Sequence, residues 1–438
     1  MRALQIAAVL LVASPGAAQE SSAPETSTEG LLPVPDLSGG WSENPKLTGD
    51  WGGARQGWAD RGFHVDLDWV QAFQDIASGG VREGSGSSTN LDYQLTLDLM
   101  RAGLVPGAAV RVRGQSRFGS TVNGDAGLLL PVNSHGAFPL ASDPDGDVDV
   151  ALTELYWLQY LSDDAGLTLG KITTLGTANE FMGGAGKSQF MNFQFLYSPV
   201  FAQLAPYSTL AAGGFWALSP TWKVTSTVMN ISDASTSSGF DDFGDGGMWM
   251  TSLQYDGSLN DLPGGGTLSV SYGFDADFSQ VGGLNFSLGS GVQLASESSS
   301  WAANWSGWQY LTAEEGAAAV DPTDGAQDLQ GIGTFMQVGL GDEDTNPVSW
   351  SVAWGLSGRG TLEGRDDDTW GAGVFYNDLQ QVGLGLSSLA SSTSGLELYY
   401  DLSLAGSTSL TLDAQWLRSA FKNVDDALVL GLRLNVSL

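Results

Sequence analysis

The sequence predicts an all-β protein, a transmembrane antiparallel β-barrel of about sixteen strands with a short N-terminal helix. Three observations support this fold class. Apolar and polar residues alternate with a period of two in many short segments. Short connections between these segments alternate with long ones. Aromatic residues are frequent near the ends of the apolar faces.

The alternation is the main signal, because a strand sorts alternate residues onto two faces whereas a helix scatters them around its circumference. Residues 91–99 read LDYQLTLDL, with leucine or tyrosine at every second position. The same pattern appears in LSVSYGF (268–274), WSVAWGL (350–356), LELYYDLSL (396–404) and the last residues from Leu428 to Leu438. About sixteen such segments begin near residues 63, 90, 108, 149, 166, 208, 221, 246, 265, 301, 329, 347, 367, 394, 407 and 427.

The connections and the aromatic residues indicate a barrel in a membrane. Short connections at 102–108, 162–166 and 219–221 alternate with long ones at 119–148, 174–207 and 278–299, as in bacterial outer-membrane barrels. A soluble pair of β-sandwiches or a lectin-like protein would also show alternating strands. Aromatic residues near strand ends favour the barrel, because they suit the two interfaces of a lipid bilayer. Examples are Phe63, Trp69, Tyr93, Phe118, Trp222, Trp301, Trp350, Trp370 and Trp416.

The chain divides into four parts. Residues 1–18, MRALQIAAVLLVASPGAA, have the layout of a secretory signal peptide, so we expect export to the bacterial outer membrane. Residues 19–46 are rich in Ser, Glu, Thr and Pro and predict a flexible leader. Residues 47–62 predict a short helix, with Thr48 as its cap and Trp51 and Trp58 on one face. Residues 63–438 form the predicted barrel.

Composition excludes several classes of protein and partner. The chain has 17 basic and 49 acidic residues, and its formal net charge of -32 disfavours nucleic acid and anionic membrane surfaces as partners. It contains no cysteine, which excludes disulfide scaffolds. Its 60 glycines and 15 tryptophans fit a large all-β protein with many turns.

Several segments resemble one family. LTGDWGGARQGW (47–58) and GFHVDLDWVQAFQDIASGG (62–80) resemble the N-terminal signature of the carbohydrate-selective porins of the OprB type. Further segments are similar to family segments in the same order: LTELYWLQYL (152–161), LTLGKI (167–172), FMNFQFLYSPVF (190–201), NPVSWSVAWGL (346–356), GRDDDTWGAGVFY (364–376) and DALVLGLRL (426–434). The resemblance covers the chain from about Leu47 to its end.

The resemblance implies a sixteen-stranded pore in the outer membrane that passes sugars. It also implies contact with outer-membrane lipid, insertion by the barrel-assembly machinery and a homotrimer. Members of the family usually end on an aromatic residue that this machinery reads, whereas this chain ends at Leu438.

The segment VRVRGQSRF (110–118) supplies the first candidate site. Val110 and Val112 lie on one face of the predicted strand, and Arg111, Arg113 and Arg117 lie on the other. An arginine at the bilayer midplane costs about 2–4 kcal/mol, so we expect the arginines to face the lumen. There they either donate hydrogen bonds to sugar hydroxyls or only balance lumen carboxylates. Those carboxylates are Asp92, Asp98, Glu154 and Asp413.

Glu154 and Lys171 complete the predicted pore lining. Glu154 lies in an alternating segment next to the arginine strand and brings a carboxylate to the lumen. For Lys171 the strand phase is ambiguous, because a bulge at Gly170 would reverse the face.

The aromatic run FMNFQFLYSPVF supplies the second candidate site. Asn192, Phe193, Phe195 and Tyr197 lie in a long connection where exposed rings would be costly, so we expect this connection to fold inward. The rings then either contact the apolar face of a sugar while polar neighbours meet its hydroxyls, or simply anchor the loop to the inner wall.

Catalysis and cofactors are not predicted. His64 and His135 are the two imidazoles of the chain, and neither lies in a recognisable catalytic constellation. Aspartates alternate from Asp143 to Asp149, but this is a weak calcium pattern, and no metal is predicted. The predicted function is passive diffusion of monosaccharide-sized sugars through a water-filled barrel narrowed by an inward loop. The alternative is a general, unselective outer-membrane porin.

Overall fold

The computed structural model describes residues 30–137, 148–175, 179, 181–182, 184–202, 204–287, 291–314, 329–380 and 389–438. In these ranges sixteen antiparallel strands form a closed barrel, which confirms the predicted fold class. The strands are β1 Phe63–Gly80, β2 Gly84–Asp98, β3 Ala108–Gly119, β4 Ala151–Tyr160, β5 Ala165–Thr173, β6 Ser208–Ser219, β7 Trp222–Asn230, β8 Gly247–Leu259, β9 Leu262–Ser287, β10 Gly291–Ala313, β11 Gly331–Gly341, β12 Val348–Arg359, β13 Thr369–Leu379, β14 Ser392–Ala405, β15 Thr408–Arg418 and β16 Asp425–Ser437. Each strand pairs with its neighbours in the chain, and β1 closes the barrel on β16.

The outer face of the barrel is apolar and the inner face carries charged groups, which is the reverse of a soluble protein. On β16, Leu428, Leu430 and Leu432 are 37%, 46% and 44% exposed, whereas Val429 and Arg433 of the opposite face are buried inside. An outer surface of leucines with charged groups inside suits a barrel surrounded by lipid. It does not suit two sheets packed through an apolar core, so the β-sandwich alternative is wrong.

Most of the aromatic residues predicted to form interfacial belts lie on the outer surface. Those with exposed rings are Phe63, Tyr93, Phe118, Trp222, Trp301, Trp350 and Trp416. Amphipathic rings in such positions stabilise a barrel at the level of the lipid headgroups.

The connections define two different ends of the barrel. One end, the short-turn end, carries the connections 161–164, 220–221, 260–261 and 406–407. At the opposite, long-loop end lie the described parts of 120–150 and 174–207, together with 231–246. The separation has exceptions, because the long connection between β10 and β11 joins strand ends at the short-turn end, and the short connection 81–83 lies at the long-loop end. Short turns face the periplasm in outer-membrane barrels, so the long-loop end is the extracellular end.

The predicted N-terminal helix is present and short. Helix α1 spans Ala54–Ala59, and its cap is Gly53 in the left-handed conformation, not Thr48. Asp50 Oδ1 accepts a hydrogen bond from the backbone N–H of Gln56 at 2.7 Å, which satisfies a free donor of the first turn. The rings of Trp51 and Trp58 meet edge to face at 5.8 Å, as their spacing predicts.

The remaining helical elements are single turns in the connections. They are α2 Ser134–Ala137, α3 Phe193–Leu196 and the 3-10 turns Gly184–Gly186, Pro199–Phe201 and Asp241–Gly244. Among the described residues, no helix has the length and apolarity needed to cross a membrane.

The described part of the predicted flexible leader, residues 30–46, is tied to the barrel. Asp98 Oδ2 accepts hydrogen bonds from the backbone N–H groups of Leu31 at 2.6 Å and Leu32 at 3.0 Å. Composition alone predicts no such order, because the carboxylate that binds this segment lies on β2, far away in the sequence. The predicted signal peptide and residues 19–29 lie outside the described residues.

Candidate functional site

Two long-loop connections fold back into the barrel and narrow its lumen. The first inner loop is residues 120–137, between β3 and β4, and the second inner loop is the described part of 174–207, between β5 and β6. They share an apolar cluster with the barrel wall. It includes Val122 and Val132 of the first loop, Phe190 and Phe195 of the second, and Phe335, Phe375 and Tyr399 of the wall. The loops therefore pack on the wall at β11, β13 and β14, and a second apolar cluster joins the second inner loop to β6–β10.

Glycines on the inner face of β13 make room for the second inner loop. A Cβ atom at Gly373 would lie 2.7 Å from Cε1 of Phe195, and one at Gly371 would lie 2.9 Å from Cζ of Phe190. Contacts this short do not occur, so the two rings can pack against the wall only because these positions are glycine. The predicted inward fold of the aromatic run is seen here.

The rings predicted to contact sugar are buried. Phe193, Phe195 and Tyr197 are 1%, 0% and 6% exposed. Phe195 stacks on Phe190 with centroids 4.3 Å apart, and Tyr197 packs beside Phe201 at 5.8 Å. In this arrangement the rings offer almost no surface to a solute and anchor the loop to the wall.

Polar groups of the wall hold the same loop. Glu397 on β14 accepts hydrogen bonds from the backbone N–H groups of Met191 at 2.5 Å and Asn192 at 3.1 Å. The Asn192 side chain caps α3 by accepting from the backbone of Gln194 at 3.1 Å, and it donates to Gln415 Oε1 at 3.0 Å. Asn192 is fully buried, so it positions the loop and does not face the lumen.

Arg433 on β16 gives the loop a further attachment. Its guanidinium donates to the carbonyl oxygens of Gly186 at 3.0 Å and Gln189 at 2.6 Å, and also to Thr411 Oγ1. An arginine presents several donors in a fixed geometry and can bind two carbonyls at once. The loop conformation is thus fixed by the wall along much of its length.

Arg113 lies at the centre of a charged cluster on the inner wall. Its Nε donates to Asp92 Oδ1 at 2.9 Å, and its Nη1 donates to Glu154 Oε1 at 3.1 Å. All three side chains are buried inside the barrel. Glu154 lies directly opposite Arg113 on β4, and Asp92 is a diagonal neighbour on β2, two residues from Gln94, which pairs with Arg113.

Arg111 extends the cluster toward the short-turn end. Its Nε lies 2.9 Å from Glu154 Oε2, and its Nη2 donates to Gln94 Oε1. Glu154 also accepts a hydrogen bond from Thr173 Oγ1 at 2.6 Å. One carboxylate therefore binds two arginines and a hydroxyl.

Lys187 of the second inner loop completes the cluster. Its Nζ lies 2.5 Å from Asp68 Oδ2 and 3.1 Å from Asp92 Oδ2. These pairs join the loop to β1 and β2 across the lumen. Sequence reasoning missed Lys187 because it lies in a connection without periodicity, where no strand phase indicates its direction.

The cluster, defined as Asp68, Asp92, Arg111, Arg113, Glu154 and Lys187, is balanced in charge. Three cations face three carboxylates in ion pairs of 2.5–3.1 Å. Removing one partner of a buried pair leaves an uncompensated charge, which costs about 3–5 kcal/mol. The predicted balance of Asp92 and Glu154 against the arginines is therefore present in the geometry. Of the other two carboxylates predicted for this role, Asp98 binds the N-terminal segment and Asp413 accepts from Gln415.

Arg117 lies on the same inner face but outside the cluster. Its Nη1 donates to the carbonyl oxygen of Gly136 at 2.7 Å, which holds the first inner loop against β3. Lumen placement of all three arginines agrees with the alternation, because each pairs with an inward residue of β2.

The predicted pore-lining position of Lys171 is wrong. Lys171 pairs directly with Leu155, which is 47% exposed on the outer surface, and directly paired residues share a face. Pairing continues through Gly170 without a register shift, so no bulge turns Lys171 inward. Its Nζ instead donates to the carbonyls of Ala234 at 2.5 Å and Ser237 at 2.7 Å, in the connection after β7.

A neutral polar arc lies on the inner faces of β7 to β10. Its members are partly exposed hydroxyl and amide side chains, and the pairing places them side by side. They are Thr225, Thr227, Ser252, Ser269 and Asn304. Such groups both donate and accept hydrogen bonds, and the sequence analysis did not single them out.

The surroundings of His135 disfavour imidazole chemistry. Burial, with the nearby positive charge of Lys187, lowers the pKa of His135 to about 3, so this imidazole is a poor base at neutral pH. Within the described ranges, no group of three His, Cys, Asp or Glu side chains is placed to hold a metal ion. Asp143, Asp145 and Asp147 of the weak calcium pattern lie outside those ranges.

Comparison with known proteins identifies the family. Residues 82–438 match the carbohydrate-selective porin family, OprB. The chain belongs to the OprB family. Its fold and family are those of an outer-membrane carbohydrate channel and not of an enzyme.

Solved OprB structures share the fold of this OprB member. The high-pH structure of Pseudomonas putida OprB aligns with a TM-score of 0.75 and 21% identity, covering 91% of this chain and 99% of that one. The low-pH structure of the same protein aligns with a TM-score of 0.56 and 15% identity over the same shares of the two chains. No curated protein sequence matches this chain at a significant level.

Proposed function

We propose that this protein passes neutral, monosaccharide-sized carbohydrates by passive diffusion, and that the charged cluster is its solute-contacting constriction. The observation that carries the proposal is the balanced set of guanidinium, ammonium and carboxylate groups beside a lumen narrowed by two inner loops. A sugar hydroxyl both donates and accepts hydrogen bonds, so it can exchange with these groups as it passes.

Charge balance explains the preference for neutral solutes. A charged solute would have to disrupt a pair such as Arg113 with Asp92, whereas a hydroxyl can bind to its edge. Conduction needs weak, repeated contacts, and the neutral polar arc supplies further ones. Within this proposal Arg111 and Arg113, whose side chains are 12% and 11% exposed, contact the sugar. Glu154 positions both arginines, and Arg117 contributes by positioning the first inner loop.

The loop aromatics take a different role from sugar contact. Phe193, Phe195 and Tyr197 are buried, so we assign them to anchoring the loop that sets the pore width. Their influence on selectivity is then indirect, through the position of Lys187.

Arginine substitutions separate this proposal from a general porin. Replacing Arg111 and Arg113 with Gln keeps donors and removes charge, whereas Ala removes both, so glucose flux relative to a size-matched non-sugar solute should fall most with Ala. The measurement is liposome swelling with each double variant, and Arg82→Ala on the exposed rim is the control. Equal flux ratios in wild type, Gln and Ala variants would exclude the cluster as a sugar filter and favour an unselective pore.

Partners beyond the solute form a separate part of the proposal. The exposed leucines of the outer face support contact with outer-membrane lipid, and the barrel fold, with the predicted signal peptide, supports insertion by the barrel-assembly machinery. A homotrimer rests on the family resemblance alone, and native mass spectrometry of the detergent-extracted protein tests it.

A further inference from the structure

A segment near the N-terminus enters the lumen at the short-turn end. The mouth strap, defined as residues 30–47, begins with Leu31, which is 8% exposed and packs with apolar residues of β3, β4 and β6. These residues are Ala109, Tyr156, Leu158, Tyr160 and Phe215. They alternate with outward residues such as Trp157 and Trp216, so all of them face the inside of the barrel. Leu31 therefore lies inside the barrel, packed against its inner wall.

The seat of Leu31 is held by charged groups at the end of β2. Asp98 is fully buried and accepts from the backbone N–H groups of Leu31 and Leu32, and Arg101 Nη2 donates to the carbonyl of Leu32 at 2.7 Å. A buried carboxylate bound to two backbone donors is a strong attachment. Asp98 therefore positions the N-terminal segment, beyond the charge-balancing role predicted for it.

The other end of the mouth strap is attached further round the rim, at β1, β16 and the β14–β15 turn. The carbonyl of Ser42 accepts from the backbone N–H of Gly406, in the turn between β14 and β15, at 2.8 Å. The backbone N–H of Leu47 donates to Ser437 on β16 at 2.7 Å, and Lys46 lies 2.7 Å from Asp66 on β1. The strap therefore runs from the β3–β6 side to the β14–β16 side.

The sequence of the strap makes it stiff between these attachments. Residues 31–37 read LLPVPDL, and Pro33 and Pro35 fix their own backbone angles and keep Leu32 and Val34 extended. A stiff segment loses little conformational entropy when it is held across an opening.

We propose that Leu31 and the mouth strap form a second constriction, at the short-turn end, that sets the upper size of solutes leaving the charged cluster. The inference deepens the proposed function and rests on it. It assigns the size limit to the strap, names Leu31 as its buried anchor, and names Asp98 and Arg101 as the residues that position this anchor. The apolar seat adds no charge to the path, so a neutral solute meets a steric limit there and not an electrostatic one.

Leu31→Asp tests the second constriction in the full-length protein in liposomes. An aspartate at this position is unfavourable among apolar residues and beside Asp98, so the strap should detach from the inner wall. The liposome swelling rate in a disaccharide, relative to that in glucose, should then rise about threefold. The matched control is Leu104→Asp, in the exposed turn after β2 at the same end, which should leave the ratio unchanged. If Leu31→Asp does not fold, Leu31→Gly removes the side chain without burying a charge. An unchanged ratio in a folded variant overturns the proposal.

Thiol labelling tests the seat independently of sugar transport. The chain has no cysteine, so Leu31→Cys and Leu104→Cys each carry a single thiol. Leu104 is 69% exposed, and Leu31→Cys should react with a water-soluble maleimide about tenfold more slowly than Leu104→Cys. Equal labelling rates would contradict the buried position of Leu31. Liposomes that contain the wild-type protein and pass no sugar would refute the proposed function. In that case the labelling rates and the single-channel conductance of Leu31→Gly still test whether the strap narrows the pore.

Discussion

The charged cluster owes its chemistry to a few residues that the fold brings together from different parts of the chain. Arg113, Asp92 and Glu154 lie on three neighbouring strands, and Lys187 joins them from a loop. Because every cation in the set has a carboxylate partner, each group is held in place and none carries a free charge into the lumen.

At the residue scale, Lys187 gives the sharpest electrostatic prediction. Lys187→Met leaves Asp68 and Asp92 short of one cation, so the pore should become more cation-selective. The reversal potential in a KCl gradient across a planar bilayer measures this. Arg82→Met is the control, because Arg82 lies on the exposed rim and pairs only with Asp125 among the described residues. A reversal potential equal to that of wild type would contradict the assigned position of Lys187.

Single residues also show the limits of sequence reasoning. The inward direction of Arg111 and Arg113 follows from alternation, because lipid excludes guanidinium groups from the other face. Lys171 departs from this rule and faces outward, because the connection after β7 shields its ammonium group with backbone carbonyls. The contacts of Lys171 and Lys187 depend on the course of connections, which have no periodicity to predict it.

At the element scale, the second inner loop is positioned by glycines of the wall. Gly373→Val should push Phe195 from its seat, lower the unfolding free energy by about 1–3 kcal/mol and increase the flux of larger solutes. Thermal unfolding followed by circular dichroism and liposome swelling measure the two effects. Ala372→Val, on the outer face of the same strand, adds a similar side chain facing lipid and should change neither. Wild-type stability and flux in Gly373→Val would mean that the glycine is not needed for the loop.

Helix α1 connects the start of the barrel with the end of the chain. Arg55 Nη2 donates to the backbone carbonyl of Leu438 at 2.7 Å, and the backbone N–H of Leu438 donates to Leu67 on β1 at 2.7 Å. The last residue is therefore bound by polar contacts of its backbone, which do not depend on an aromatic side chain.

Loss of the Arg55 contact should weaken this end of the barrel. Arg55→Ala removes a charge-assisted hydrogen bond worth about 1.5–3 kcal/mol, so the barrel should convert to the unfolded gel band at a lower temperature. Arg61→Ala, in the exposed turn after α1, serves as the control. The same conversion temperature in wild type and Arg55→Ala would show that the contact is not stabilising.

The strands were more predictable than the connections, for a physical reason. A strand between lipid and water must alternate, so β3 begins at the predicted residue 108 and β6 at 208. β10 begins earlier than the predicted 301, at Gly291, because the β9–β10 hairpin continues beyond the regularly alternating part. The mouth strap was predicted as a flexible leader, since its attachment to Asp98 is invisible in composition.

At the scale of the whole molecule, the closed barrel separates two electrostatic environments. The chain as a whole is strongly acidic, with a formal net charge of -32, yet the constriction is balanced. An acidic protein with a neutral constriction repels anions at its surface while leaving the passage of neutral solutes to steric fit and hydrogen bonding. The OprB family, the inverted faces of the barrel and the balanced cluster all agree with a channel for neutral carbohydrates.

The most direct test of this conclusion is the swelling of liposomes that contain the folded wild-type protein. Swelling rates are compared for glucose, a size-matched neutral non-sugar and gluconate, a charged relative of glucose. The balanced constriction predicts that glucose enters fastest, that gluconate is about tenfold slower and that the sugar remains chemically unchanged. Equal rates for all three solutes, or no swelling with intact protein, would contradict a carbohydrate-selective channel.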